Sequence, residues 1–160
     1  MDKLILNIQE NFGSPKPPKF PEWRPEWKTS EAYEETAYFD GKTWNELQIS
    51  DFEIYTCCHT FFPEHCALYY LGANMYWECR SRKFHTYAME RLLMGLDSAG
   101  FSIRKRRRFS SRIETLWRSM NEGQKFTLLA YLDRFGEQAE LHVEEIRNIV
   151  QGYRDALQRL

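Results

Sequence analysis

Cys57-Cys58-His59 and His65-Cys66 lie close together in the chain, with Cys79 and His85 further on. Thiolates and imidazoles bind zinc when four of them converge, and structural zinc sites draw them from paired short spacings such as Cys-x2-Cys. Neither pair here has that spacing. Cys66 shares an apolar helical stripe with Tyr69, Tyr70 and Ala73, and Cys58 follows three residues after Tyr55, so both are expected as small core hydrophobes. No metal and no cofactor is expected, and nothing points to the oxidising compartment in which disulfides persist. Nucleophilic or general-base chemistry has no better support. The sequence contains no Gly-x-Ser-x-Gly, no phosphate-cradling glycine loop and no His-Glu-x-x-His. His59 lies on the apolar face of its helix, where a hydrogen-bonded core histidine is expected, and Glu144-Glu145 fits an exposed polar face. No catalytic residue is assigned, and the chain is read as a non-enzyme.

Binding chemistry is better represented. Arg104-Lys105-Arg106-Arg107-Arg108 places five cations in a row, and their mutual repulsion favours a solvated loop or a partner-bound segment. Arg104, Arg106, Arg107 and Arg108 are therefore candidate partner contacts. An acidic protein surface fits them better than nucleic acid, because a dedicated nucleic-acid binder is usually basic overall and this chain has a pI of about 6.4. The charge is uneven: residues 1–79 hold 6 basic and 13 acidic groups, whereas residues 80–125 hold 12 basic and 4 acidic. The second candidate set is Trp23 and Trp27, in the doublet Pro21-Glu22-Trp23 and Pro25-Glu26-Trp27. Either the two indoles strap their segment onto the body of the protein, or they present an aromatic anchor to a partner.

The elements that carry these residues read as helices. Residues 13–28 hold five of the six prolines and are expected as an extended arm of polyproline character. Ser50 followed by Glu53 suggests a capping box opening a helix over 51–61. Pro63 suits the first position of the next helix, with Glu64 near its positive end. Cys66, Tyr69, Tyr70, Ala73, Tyr76 and Trp77 form one stripe of that helix, and Leu68, Leu71 and Met75 form a second, so it should sit centrally. A helix over 84–97 follows, with Met89, Leu92, Leu93 and Leu96 inward and Gly100 ending it. Ser110 or Ser111 should cap a short helix bearing Ile113, Leu116 and Trp117. Asn121 should open another running to Phe135, with Gly136 as its stop. Residues 137–160 read as a long amphipathic final helix. No stretch alternates with period two for long enough to demand a sheet. The expected fold is all-α: a single domain over 1–160, a compact irregular helical bundle with a Pro/Trp-rich extended N-terminal arm.

Composition agrees with a packed domain. The chain is 42% hydrophobic and 28% charged, and it carries 11 Phe, 9 Tyr and 5 Trp, enough rings to close a core with few side chains. No run approaches the ~18 apolar residues of a membrane span, and Asp2, Asn7 and Glu10 interrupt the stretch where a signal peptide would be apolar. A soluble, cytoplasmic protein is expected.

Three motifs occur in order: Phe39-Asp-Gly41-Lys42-Thr-Trp44-Asn-Glu-Leu47, then Tyr69-Tyr70-Leu71-Gly72-Ala73, then Gln124-Lys-Phe-Thr-Leu128-Leu129-Ala-Tyr131-Leu132. Together they resemble a family of small, uncharacterised helical bacterial domains with a Phe-x-Gly-x-x-Trp-x-x-Leu opening, a central Tyr-Tyr-Leu-Pro-Ala and a late Gln-led helix. The resemblance covers 39–135 and departs at Gly72, where the family pattern has proline. It implies the helical fold and a bacterial origin. Small proteins of this class often accompany secreted toxins, so the resemblance implies a cytoplasmic immunity protein that binds a cognate toxin domain and occludes its active site or substrate surface. The alternative is a nucleic-acid-associated or regulatory module using the basic segment 104–108.

Overall fold

The computed structural model describes residues 2–83, 86–97, 101–102, 107–108, 112–137, 151–152 and 154–160. The fold is all-α. It opens with α1 (Lys3–Phe12), a helix beyond those expected from the sequence. Asp2 caps it by accepting the Leu4 N–H at 2.9 Å, and Leu4, Ile8 and Phe12 recur every four residues as one buried stripe. That stripe packs on α5 (Glu64–Ser81) and α8 (Glu122–Glu137). An ion pair of 2.7 Å from Arg134 to Asp2 closes the N-terminal end of α1 against α8.

The central helix is α5, buried along nearly all its length. Its Gly72 lies where other elements approach the helix closely. A Cβ there would lie 2.3 Å from the Phe12 Cβ and 2.7 Å from the Trp44 ring, so glycine lets α1 and Trp44 close onto α5. Trp44 is fixed from both sides: its indole N–H donates to the Tyr69 carbonyl at 3.1 Å, and its own carbonyl accepts from the Trp77 indole at 2.9 Å. Gly41, at φ +73°, makes the turn leading to it. Around Tyr70 the rings of Phe20, Phe39, Phe52 and Phe62 form one aromatic cluster, with Phe62 stacked on Tyr70 at 4.7 Å between centroids. The Tyr70 hydroxyl donates to the Phe39 carbonyl.

Several helix boundaries differ from the sequence reading. The helix expected over 51–61 is two short ones, α3 (Asp51–Ile54) and α4 (Cys58–Phe61). In a continuous helix the Cys57 N–H would donate one turn back along its own chain. The Glu35 carboxylate takes it instead, at 2.8 Å, from α2 (Glu31–Thr36). Ser50 makes no side-chain cap; the neighbouring Asp51 carboxylate turns back to accept from the Gln48 N–H at 2.7 Å. Pro63 is the residue before α5, its carbonyl accepting from Cys66 and Ala67. The next helix, α6 (Tyr87–Asp97), begins after Thr86 and not at 84. A two-residue antiparallel ribbon, Phe101–Ser102 with Arg107–Arg108, lies where only a loop was expected. The helix α7 (Arg112–Ser119) carries buried Ile113, Leu116 and Trp117 as expected. Asn121 and Gln124 cap α8 reciprocally, each accepting the other's backbone N–H. That helix runs through Gly136, which is not its stop. Of the final helix, residues 151–152 and 154–158 are helical, and Leu157 is buried in the common core. Gly100, Ser110, Ser111 and Glu144-Glu145 lie outside the described residues.

Candidate partner-binding site

The proline-rich segment runs without helix or strand from Gly13 to Arg24, bending at Pro15 and Lys16, and then coils into a single 3-10 turn, Pro25–Trp27, so it is not extended to residue 28. It is also preceded by a docked helix and is not a free terminus. Phe20 plugs the aromatic cluster, and its N–H donates to the Asp40 carboxylate at 3.0 Å. The segment is therefore held at its centre, and the two tryptophans downstream meet different environments.

Trp23 is half-buried against the core, edge-on to Tyr33 with ring centroids 5.2 Å apart. Its indole N–H is buried without an acceptor, a local cost offset by the packing of the ring. Trp23 is a strap. Trp27 is 47% exposed. Its backbone is pinned: its carbonyl accepts from the Ser30 N–H at 3.0 Å and the Ser30 hydroxyl at 2.6 Å, and its own N–H donates to the Arg24 carbonyl at 2.9 Å. The Ser30 oxygen also caps α2 by accepting from the Tyr33 N–H. The Arg24 guanidinium lies over the Trp27 ring, 4.8 Å from its centroid. An exposed indole on a turn fixed by proline and hydrogen bonds loses little further entropy when covered, which is the condition for a binding anchor. Arg24 was not singled out in the sequence; its signal is the Arg-x-x-Trp spacing, which brings the two side chains together in a single turn.

The basic candidates are only partly visible. Arg107 and Arg108 form one strand of the ribbon, opposite Ser102 and Phe101, while Arg104 and Arg106 lie outside the described residues.

The residues first considered for chemistry are mostly interior. All four cysteines are free thiols. Cys58, Cys66 and Cys79 are buried, and burial pushes the Cys66 thiol up to about 11 and that of Cys79 to about 12. His59 is 2% exposed, and burial lowers its imidazole to about 3, with the nearby Arg112 charge adding to the effect. The neutral ring accepts from the Asn74 amide at 3.0 Å. Asn74 leads to Thr86, whose N–H (2.9 Å) and hydroxyl (2.6 Å) both reach one oxygen of Glu78; the Tyr131 hydroxyl donates to the other. None of Asn74, Glu78, Thr86 and Tyr131 has any exposed surface, so this chain of polar groups joins α4, α5, the residue before α6 and α8 in the interior. Among the described residues no group of three His, Cys, Asp or Glu side chains is placed to hold a metal ion. His85 lies outside them.

No protein family matches the chain, and no curated protein or solved structure is similar to it. All three motifs quoted from the sequence line the core, through Phe39, Trp44 and Leu47, through Tyr69 to Ala73, and through Leu128, Tyr131 and Leu132.

Proposed function

We propose that this protein is a non-enzymatic binding protein that neutralises a secreted toxin domain, acting in the bacterial cytoplasm by covering the toxin's active site or substrate surface. The observation that carries the reading is Trp27, a large ring held in the open on a fixed turn with Arg24 stacked upon it. Trp and Arg dominate binding energy at protein interfaces, and a pre-fixed anchor avoids the ordering cost of association. The uneven charge along the chain supports the same reading, since complementary fields speed encounter and select partners. No helix among the described residues is long and apolar enough to cross a membrane.

The test is co-expression with each protein of an adjacent gene that proves toxic when expressed alone. The native chain restores growth and forms an isolable complex with the toxin. Trp27→Ala loses protection while keeping its melting temperature. A native chain that leaves the toxin active overturns the proposal, and so does full protection by Trp27→Ala, which removes the observation it rests on.

A further inference from the structure

The helix α6 has two apolar faces. Ala88, Met89, Leu92 and Leu93 are buried in the core. On the opposite side Tyr87 is 59% exposed and Met94 is 60% exposed, with Glu90 and Arg91 between them. These four lie at i, i+3, i+4 and i+7, a single stripe along the outer surface of the helix, and together with Thr56 they line one shallow groove. Ile54, 66% exposed, adds apolar surface beside them: its neighbour Glu53 accepts the Tyr87 N–H at 3.3 Å. Half of the large exposed apolar side chains among the described residues, Ile54, Tyr87 and Met94 against Leu6, Trp27 and Phe126, are thus gathered here.

We propose that this stripe is the interface of a two-fold symmetric homodimer in which α6 packs antiparallel on α6 of a second copy. The order of residues along the stripe argues for that occupant. With the axis between positions 90 and 91, each copy's Tyr87 meets the second copy's Met94, and each Glu90 meets the second copy's Arg91. The first contact is a sulfur–aromatic pair and the second an ion pair, and the axis makes each of them twice. A two-fold interface requires a patch complementary to itself, and this stripe is so in the order of its residues, with acid and base adjacent at its centre and apolar groups at its ends. A strongly charged partner would instead be matched by one sign of charge across the face.

Sedimentation over a range of concentrations tests this. The native chain shifts from monomer to dimer as concentration rises. Glu90→Arg alone and Arg91→Glu alone each place like charges across the axis, and each weakens the dimer tenfold or more. The double variant Glu90→Arg/Arg91→Glu restores the pairing and the dimer. That rescue distinguishes an interface from loss of the Arg91 contact with the Cys57 sulfur, which the double variant also lacks. Met94→Asp and Tyr87→Ser, at exposed positions, leave melting temperature unchanged and give monomers. A native chain that remains monomeric at every concentration overturns the proposal and leaves the stripe to another protein. A dimer that survives the single charge changes, or a double variant that fails to recover, overturns it as well.

Discussion

Glu78, Tyr131 and Gly72 illustrate how single residues carry this fold. Tyr131→Phe removes one of the donors to a carboxylate that has no exposed surface. The expected cost is about 1–3 kcal/mol, measured by denaturant unfolding. Gly72→Ala drives a methyl group into Phe12 and Trp44, where no side chain can move aside cheaply, and should cost about 1–3 kcal/mol in the same measurement. His59 provides a pH signature. Between the ordinary imidazole value of 6.5 and the folded value of about 3, the unfolded chain binds a proton that the folded chain does not. Its contribution is complete above pH 6.5 and is lost as pH falls toward 3, at about 1.4 kcal/mol per unit at most. Unfolding free energies at pH 7, 6 and 5 should decline for the native chain, with a shallower decline in His59→Gln. The Asp2 carboxylate, held low chiefly by its hydrogen bond to Arg134, loses its contribution only below its ordinary value of 3.8 and leaves this window clear.

At the scale of elements, the proline-rich segment divides into a strap and a presented turn. Trp23→Ala should lower the melting temperature, because it removes a ring wedged against Tyr33 and the core. Trp27→Ala should change stability by less than about 0.5 kcal/mol, as exposed substitutions do. In a complex the order reverses: Trp27→Ala should speed dissociation by a loss of about 2 kcal/mol, read by surface plasmon resonance, while Trp23→Ala acts only through folding. The helix α1 is the other element with a clear role. Its stripe of Leu4, Ile8 and Phe12 covers α5 and α8, and Ile8 has no exposed surface, so Ile8→Ala should cost about 2–5 kcal/mol by denaturant unfolding.

Taken as a whole molecule, the chain separates its charge while keeping a formal net charge of only −1. For a binding protein, the consequence lies in kinetics. Raising salt should slow association with a charged toxin domain strongly and alter dissociation little, since screening acts on the approach and not on the buried anchor. Stopped-flow association at low and moderate ionic strength measures this directly, and rates indifferent to salt would remove charge steering from the proposal.

The amino-acid pattern alone determined the all-α class, the central place of the helix bearing Tyr69 and Tyr70, the inward faces of Met89, Leu92 and Leu93, and the burial of Cys58, Cys66 and His59. Apart from Cys58 and His59, whose expected helix is divided after Ile54, each follows from local periodicity, which a helix converts directly into a buried face. Other features depended on groups remote in sequence. The break at Tyr55–Cys57 exists because Glu35 takes a backbone donor that a longer helix would have used. The need for glycine at position 72 comes from Phe12 and Trp44, neither of which is near it in the chain. Trp23 and Trp27 are alike in sequence, each following a Pro-Glu pair, and only the position of Tyr33 and the turn fixed by Ser30 make one a strap and leave the other open to solvent. Periodicity marks which side of an element turns inward, but what an outward side chain meets is decided by how the elements pack.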